Sequence, residues 1–474
     1  MERILTVCQM QKADNFTINN LGVSQEDLVF RAGESVASVI KEQFFGGRVL
    51  VCVGKGNNGK DGLVIADILS KAHGFSVKVF DSEKPNYDIF DRQFDLIIDC
   101  LFGVGLNRQI EGKYKEIIDR INAINCYKIA CDIPSGINGD NGKVMGVAVK
   151  CDMTVAIGEY KVGHFLGDGI DYTGKLVCKD IGISVWDDKF IKRIDDRDAK
   201  KCFEKPNRNV HKGNFGKTCI IGGSEDFTGS AILSANSLTA LKSGVGYTYL
   251  CVPKNLFNAY VGKNPECILM AFDEDFSTCF EKVLSCGTIA VGMGMGNTLL
   301  TYKIVCYLLE NYKGTLIIDA DGLNSLSRYG ISVLKDKKCS VILTPHIGEF
   351  SRLSGQDKEA VTNNIISSAV AFAKEYNVKL AVKSAVSIIT DGEEIYLNTT
   401  GCSAMARAGS GDVLAGLIAG TIARNSNEMD GLVSALYMFG KAGEKAQDKG
   451  SVFTVTASEI IEQFHSVIKD LQDA

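Results

Sequence analysis

The chain runs to 474 residues, long enough for two or three domains at roughly 100–200 residues each. Hydrophobic residues make up 45% and charged residues 23%, which is ordinary globular usage and excludes a disordered chain. A net charge of −5 with no Lys/Arg-rich run argues against a nucleic-acid partner.

From the N-terminus, residues 8–45 read as helical: Leu28, Ala32, Val36 and Ile40 recur every four residues, and Ser24 stands ahead as a cap. Strands are predicted at 48–53, 76–80, 94–99, 127–131, 153–157 and 175–181. Their apolar positions are consecutive, as in parallel strands covered on both faces. The spacing leaves room for crossover helices, so a Rossmann-like, doubly wound sheet is expected. Between 184 and 210, fourteen of the 27 residues are charged, and 186–204 reads as a linker with room for a short helix. The alternation then restarts. Strands are predicted at 217–223, 247–252, 288–294, 315–320, 340–345, 379–383, 387–390 and 394–397, with helices at 228–243, 298–311, 358–376, 412–424 and 431–447. Two α/β domains are therefore expected, at 1–185 and 205–474, and 49 glycines against 6 prolines suit that class.

The 16 cysteines form no C-x-x-C pair. Cys52, Cys131, Cys219 and Cys251 sit inside apolar runs and read as reduced core residues of a reducing compartment. The N-terminus, MERILTVCQMQKADNF, lacks a signal-peptide core, and no segment reaches the roughly 18 apolar residues of a membrane span. A cytoplasmic protein without membrane partners is expected, a homo-oligomer acting on small molecules.

GKGNNGKDG (54–62) follows the first strand and opens a helix, where free amides attract anions. It is neither a dinucleotide fingerprint nor a P-loop; the alternative is an ordinary glycine-rich turn. LIIDCLFGVGL (96–106) places Asp99 at the carboxyl edge of a strand, and KIACDIPSGINGDNG (128–142) does the same with Asp132 and Ser135. Ligands of open α/β sheets bind along that edge. Asn58, Asp99 and Ser135 offer oxygen atoms, which suit a hard cation; helix capping is the bland alternative.

GNNGKDG, then Asp99 with LFG and GL, then DIPSG, then KVGH (161–164) together resemble the NAD(P)HX epimerase domain family. The resemblance implies that Asn57, Asn58, Gly59, Lys60 and Asp61 hold a hydrated nicotinamide nucleotide. It implies the same of Gly103, Val104, Gly105, Leu106, Asn107, Arg108 and Gln109, and of Asp132, which is also the candidate acid/base. Asn58, Asp99 and Ser135 would bind potassium. Lys60 stands where that family usually has glycine.

In the second half, NTTGCSAMARAGSGDVLAGLIAG (398–420) places Gly409, Ser410 and Gly411 at the start of an apolar helix. Bare amides there form an anion hole for a phosphoryl group, and Asp412 stands next to accept a proton. Positioning plus charge stabilisation is the chemistry of small-molecule kinases; the alternative is a capped helix start. IIDADGLN (317–324) puts Asp319 and Asp321 at a strand end, TPHIGEF (344–350) puts His346 and Glu349 after the next, and VKSAVSIIT (382–390) puts Lys383 at another.

With VGMGMGN (291–297) and HKGNFG (211–216), these segments resemble the ribokinase-like fold and its NAD(P)HX dehydratase branch. The resemblance implies an ADP or ATP site built from Lys383, Ser384, Ala385, Val386 and Ser387 with Gly401 to Gly411. It implies a hydrated-nicotinamide site at Ala231, Gly294, His346 and Asp412, with Mg²⁺ near Glu349, Asp319 or Asp321. Met293, Ser384 and Ser410 depart from the Pro, Gly and Thr usual there. The two resemblances imply an isomerase and a lyase in one chain: epimerisation of hydrated NADH and NADPH, then dehydration of the S form at the expense of ADP or ATP. The alternative is a ribokinase-like vitamin or sugar kinase carrying a nucleotide-binding sensor domain.

Overall fold

A computed structural model describes residues 2–185, 189–205, 207–240, 245–273, 279–424 and 427–473. The chain divides into two compact units, 2–191 and 192–474. No helix among the described residues is long and apolar enough to cross a membrane.

In the first unit the consecutive apolar runs become six parallel strands. They are β1 (Gly47–Val53), β2 (Phe75–Asp81), β3 (Leu96–Cys100), β4 (Tyr127–Cys131), β5 (Met153–Ile157) and β6 (Lys175–Lys179). Their order is β2-β1-β3-β4-β5-β6. The pleat explains the absence of alternation: Val49, Val51 and Val53 of β1 pack with Leu28, Val36 and Ile40 on one face, while Leu50 and Cys52 pack with Ile117, Ile118 and Ile121 on the other. The helical stretch expected over 8–45 is two helices, α1 (Val7–Leu21) and α2 (Gln25–Gln43). Gly22 takes a left-handed conformation that ends the first, and the Ser24 side chain caps the second by accepting from Asp27 N–H.

Among its described residues the second unit carries a mixed sheet that includes β7 (Lys217–Ile221), β8 (Tyr247–Pro253), β9 (Ile268–Phe272), β10 (Thr288–Val291), β11 (Thr315–Ile318), β12 (Ser340–Leu343), β13 (Lys379–Val382), β14 (Ser387–Thr390) and β15 (Ile395–Asn398). The order is β9-β8-β7-β10-β11-β12-β13-β14-β15, parallel except where β14 pairs with β13 and β15. Strand β9 and the helices at 320–329, 347–354 and 457–473 have no counterpart in the sequence reading.

The linker expected over 186–204 is shorter than its charge suggests. Lys192 and Arg193 pair with Tyr396 and Leu397, a short helix follows at Asp196–Lys200, and Ile194, Ala199, Cys202 and Phe203 are buried in the second unit's core. The charges mark the solvated side of a folded segment; 186–188 lie outside the described residues. Cys52, Cys131, Cys219 and Cys251 are fully buried free thiols, as expected.

Candidate functional site

In the first unit the chain runs from β1 outward to β2, then returns to β3 on the other side of β1. That reversal splays the loops after β1 and β3 apart and opens a crevice at the strands' carboxyl ends. A cavity of about 850 Å³ occupies it, lined by Asn57, Asn58, Asp61, Gly103 to Arg108 and Asp132. Of the residues expected to hold the nucleotide, Gly59, Lys60 and Gln109 lie outside this lining, as do Asp99 and Ser135 of the expected cation site. Gly59 packs beneath it: a Cβ there would lie 1.8 Å from the Gly54 carbonyl oxygen. Lys60 is exposed in the first turn of α3 (Asn57–Lys71), where a side chain meets no crowding.

Asp132 ends β4 with φ at 70°, a left-handed conformation that Asp tolerates better than most residues. Its Oδ1 accepts from the Lys161 ammonium and from Ile157 N–H at 3.0 Å. Lys161 is fully buried and also donates to the Ile157 carbonyl at 2.6 Å. His164 supports the turn: its Nδ1 accepts from Lys161 N–H, so Nε2 donates to the Asp132 carbonyl at 2.8 Å. Burial lowers the His164 pKa to about 4, which keeps the ring neutral. KVGH thus contributes the counter-charge of Asp132, a role the motif alone did not reveal. Asp14 of α1 was also missed, because nothing in its local sequence distinguishes it; burial raises it to about 6. Burial and the nearby Asp132 and Asp14 raise Asp61 to about 8.

Asn58, Asp99 and Ser135 do come together. Ser135 donates to Asp99 through its N–H at 2.7 Å and its hydroxyl at 2.6 Å, and its oxygen accepts from Phe102 N–H. Asn58 donates to the Phe102 carbonyl at 2.8 Å. The Asn58 Oδ1 is buried without a hydrogen-bond partner among the described residues, and Asp99 is fully buried with only neutral donors. Asn58 and Asp99 are thus joined through Phe102 and Ser135, and their oxygens are hard donors of the kind that suits a cation.

The second unit reverses in the same way between β7 and β10. Gly294 sits in the loop after β10 with φ at 64°, pressed against Phe227 and Ser230, where a Cβ would come within 2.8 Å of both. Ser230 hydrogen-bonds the Asp412 carboxyl, whose pKa burial raises to about 6. Ala231 is buried against Gly222 and Gly223. Gly409, at φ 90°, starts the apolar helix Ser410–Ala423. Gly411 lies beside the Lys383 ammonium, which pairs with Asp319 at 2.7 Å. The Ser410 hydroxyl is buried without a partner among the described residues. Asp412, Gly294, Ala231, Lys383 and Gly409 to Gly411 are thus gathered at one strand edge.

His346 is placed next to Lys383 but caps its own helix: Nδ1 accepts from Gly348 and Glu349 N–H, and Glu349 accepts from His346 N–H at 2.9 Å. Ser384 and Ala385 are exposed in the β13–β14 turn, with Val386 and Ser387 leading into β14. Asp321 is engaged by Gly296 N–H at 2.7 Å, and burial lifts Glu349 to about 7. No three His, Cys, Asp or Glu among the described residues are grouped to hold a metal by themselves.

Residues 218–466 match the family described as NAD(P)H-hydrate dehydratase, and residues 25–92 and 80–163 match the one described as YjeF-related protein N-terminus. Among solved structures, a ribokinase-like protein from Enterococcus faecalis shares 22% identity at a TM-score of 0.53, covering 61% of this chain and 98% of its own. The ADP/ATP-dependent NAD(P)H-hydrate dehydratase of Bacillus subtilis shares 24% at 0.52, covering 59% and 99%. These likenesses establish a ribokinase-like fold for the second unit. The bifunctional NAD(P)H-hydrate repair enzyme Nnr of Thermofilum pendens is 31% identical, covering 99% of this chain and 97% of its own. That of Dictyoglomus turgidum is 30% identical, covering 92% of each. The chain belongs to the family of bifunctional NAD(P)H-hydrate repair enzymes.

Proposed function

We infer that the chain restores hydrated NADH and NADPH in two steps, one in each unit. Water added across a ring double bond leaves these cofactors redox-dead, as R and S hydrates. The first unit interconverts the two forms, and the second dehydrates the S form using ADP or ATP. The observation that carries this reading is full-length kinship with bifunctional repair enzymes, joined to a separate strand-edge site in each unit. The same kinship favours it over a vitamin or sugar kinase fused to a sensor.

In the second unit Asp412 accepts the proton of the substrate hydroxyl as its oxygen attacks the terminal phosphoryl group of the nucleotide. The amides of Gly409 to Gly411 and the Lys383 ammonium stabilise the transferring charge. Phosphate is a good leaving group; the ring nitrogen expels it, a ring proton is lost, and the dihydronicotinamide returns. Magnesium, when bound, supplies neutralising charge to the phosphates. In the first unit Asp132, held by Lys161, gives or takes a proton at the oxygen on the hydrated carbon. Potassium, held by Asn58, Asp99 and Ser135, supplies the positive charge that Asp99 lacks.

Purified protein mixed with NADHX and either nucleotide should regain dihydronicotinamide absorbance, for the R and S forms alike. No recovery with either nucleotide refutes the reading; a stable phosphorylated product points to a kinase.

A further inference from the structure

Interconverting R and S hydrates inverts one carbon. The hydroxyl leaves from one face of the ring, and water adds to the other. A proton must be given on one face and taken on the other, so a single carboxyl group at the end of β4 serves one face only. The wall of the first-unit cavity offers five other charged side chains: Lys55, Arg108, Lys161, Asp14 and Asp61. Lys161 is committed to Asp132 and the Ile157 carbonyl. Lys55 and Arg108 are cationic side chains suited to a nucleotide's phosphates. Asp14 and Asp61 remain, rising from α1 and α3, and neither carboxyl group takes a hydrogen bond from a described residue. The unpartnered, buried Asn58 oxygen borders the same cavity.

Resting on the functional reading above, we propose that Asp14 is the second acid–base group of the epimerase, serving the ring face that Asp132 does not. In one direction protonated Asp14 gives its proton to the hydroxyl. The carbon–oxygen bond breaks, the ring nitrogen's lone pair forms the iminium bond, and water departs. Water then adds to the opposite face, the iminium pair returns to nitrogen, and Asp132 takes the released proton. Each turnover leaves Asp14 ionised and Asp132 protonated; proton exchange with solvent restores both, and the reverse reaction exchanges the two roles. The charges facing Asp14 suit this duty. Burial opposes its ionised form, Lys161 favours it and Asp132 opposes it, and the resulting pKa of about 6 leaves both forms accessible near neutrality. Asp61, at about 8, carries a proton there and adds no competing charge.

The test uses the full chain without ADP or ATP, with purified R-NADHX as substrate and chromatography to follow the S form. Asp14→Asn should lower kcat about 10²–10⁴-fold with KM little changed, and should remove a pH limb near 6 that the parent shows. Asp14→Glu should restore part of the rate. Dehydration of the S form with nucleotide should match the parent, showing the second unit undisturbed. An Asn variant within a few-fold of the parent, a loss confined to KM, or a parent profile without that limb overturns the proposal. If Asp14→Asn melts early, the Glu variant and the parent's pH profile still decide. A parent that cannot interconvert R and S instead refutes the functional reading itself.

Discussion

Asp99 is a fully buried carboxyl whose pKa burial raises from 3.8 to about 6 against the opposing bonds from Ser135 and Leu101. At about 1.4 kcal/mol per unit, ionising it in the folded chain costs about 3 kcal/mol relative to the unfolded chain. The folded state holds the proton more tightly. The penalty is therefore absent below about pH 4, grows between there and about pH 6, and is full above that. A potassium ion bound beside the carboxylate would offset part of it. Recovering a third, about 1 kcal/mol, should raise the melting temperature of the first unit by roughly 2–4 °C. The assay is a thermal melt in potassium against tetramethylammonium at equal ionic strength, at about pH 7.5 and pH 4.5, between which the penalty turns on. The potassium gain should appear at the higher pH and shrink at the lower. Asp99→Asn can keep the bond from Ser135 N–H through its carbonyl, and it removes the charge. It should abolish the potassium gain and slow epimerisation. An equal gain in both cations, or a gain that survives in the Asn variant, refutes the cation site.

Asp412→Asn keeps shape and helix start but removes proton acceptance, so NADH recovery should fall about 10²–10⁴-fold while nucleotide binding and epimerisation persist; recovery within a few-fold of the parent would overturn its role. As the proposed base Asp412 would act ionised, and with burial raising its pKa to about 6, kcat/KM for dehydration should climb as pH rises through 6 and then level off; a flat profile would exclude it. Residues 2–191 and 192–474, expressed apart, should each fold and keep one activity; if both are insoluble while the whole chain is not, the units are not independent.

Strand positions were legible because buried parallel strands write themselves as consecutive apolar residues, and β4 and β5 fall where those runs stand. The two glycine-rich turns and Asp99, Asp132 and Ser135 were legible for a related reason: the loops at a strand's carboxyl end follow it directly in sequence. What escaped was built by distance along the chain. Lys161 meets Asp132 across 29 residues, and Asp14 reaches the cavity from a helix that precedes the whole sheet. The connector was misjudged because charge density says nothing of the few apolar residues, Ile194, Ala199, Cys202 and Phe203, that a short segment buries. His346 has a backbone role that the motif did not reveal, since its ring caps a helix start.

The cysteines buried in both sheets have a practical use. In the first unit Cys52, Cys100, Cys131 and Cys151 are buried, as are Cys219, Cys251 and Cys286 in the second, and burial pushes most of these thiols up. A thiolate reagent can reach them only when the surrounding sheet opens. Cys8, exposed on α1, reacts without opening and calibrates the reagent. Alkylation timed by mass spectrometry would read the opening rate of each half of the uncut chain from its native residues, with no label introduced.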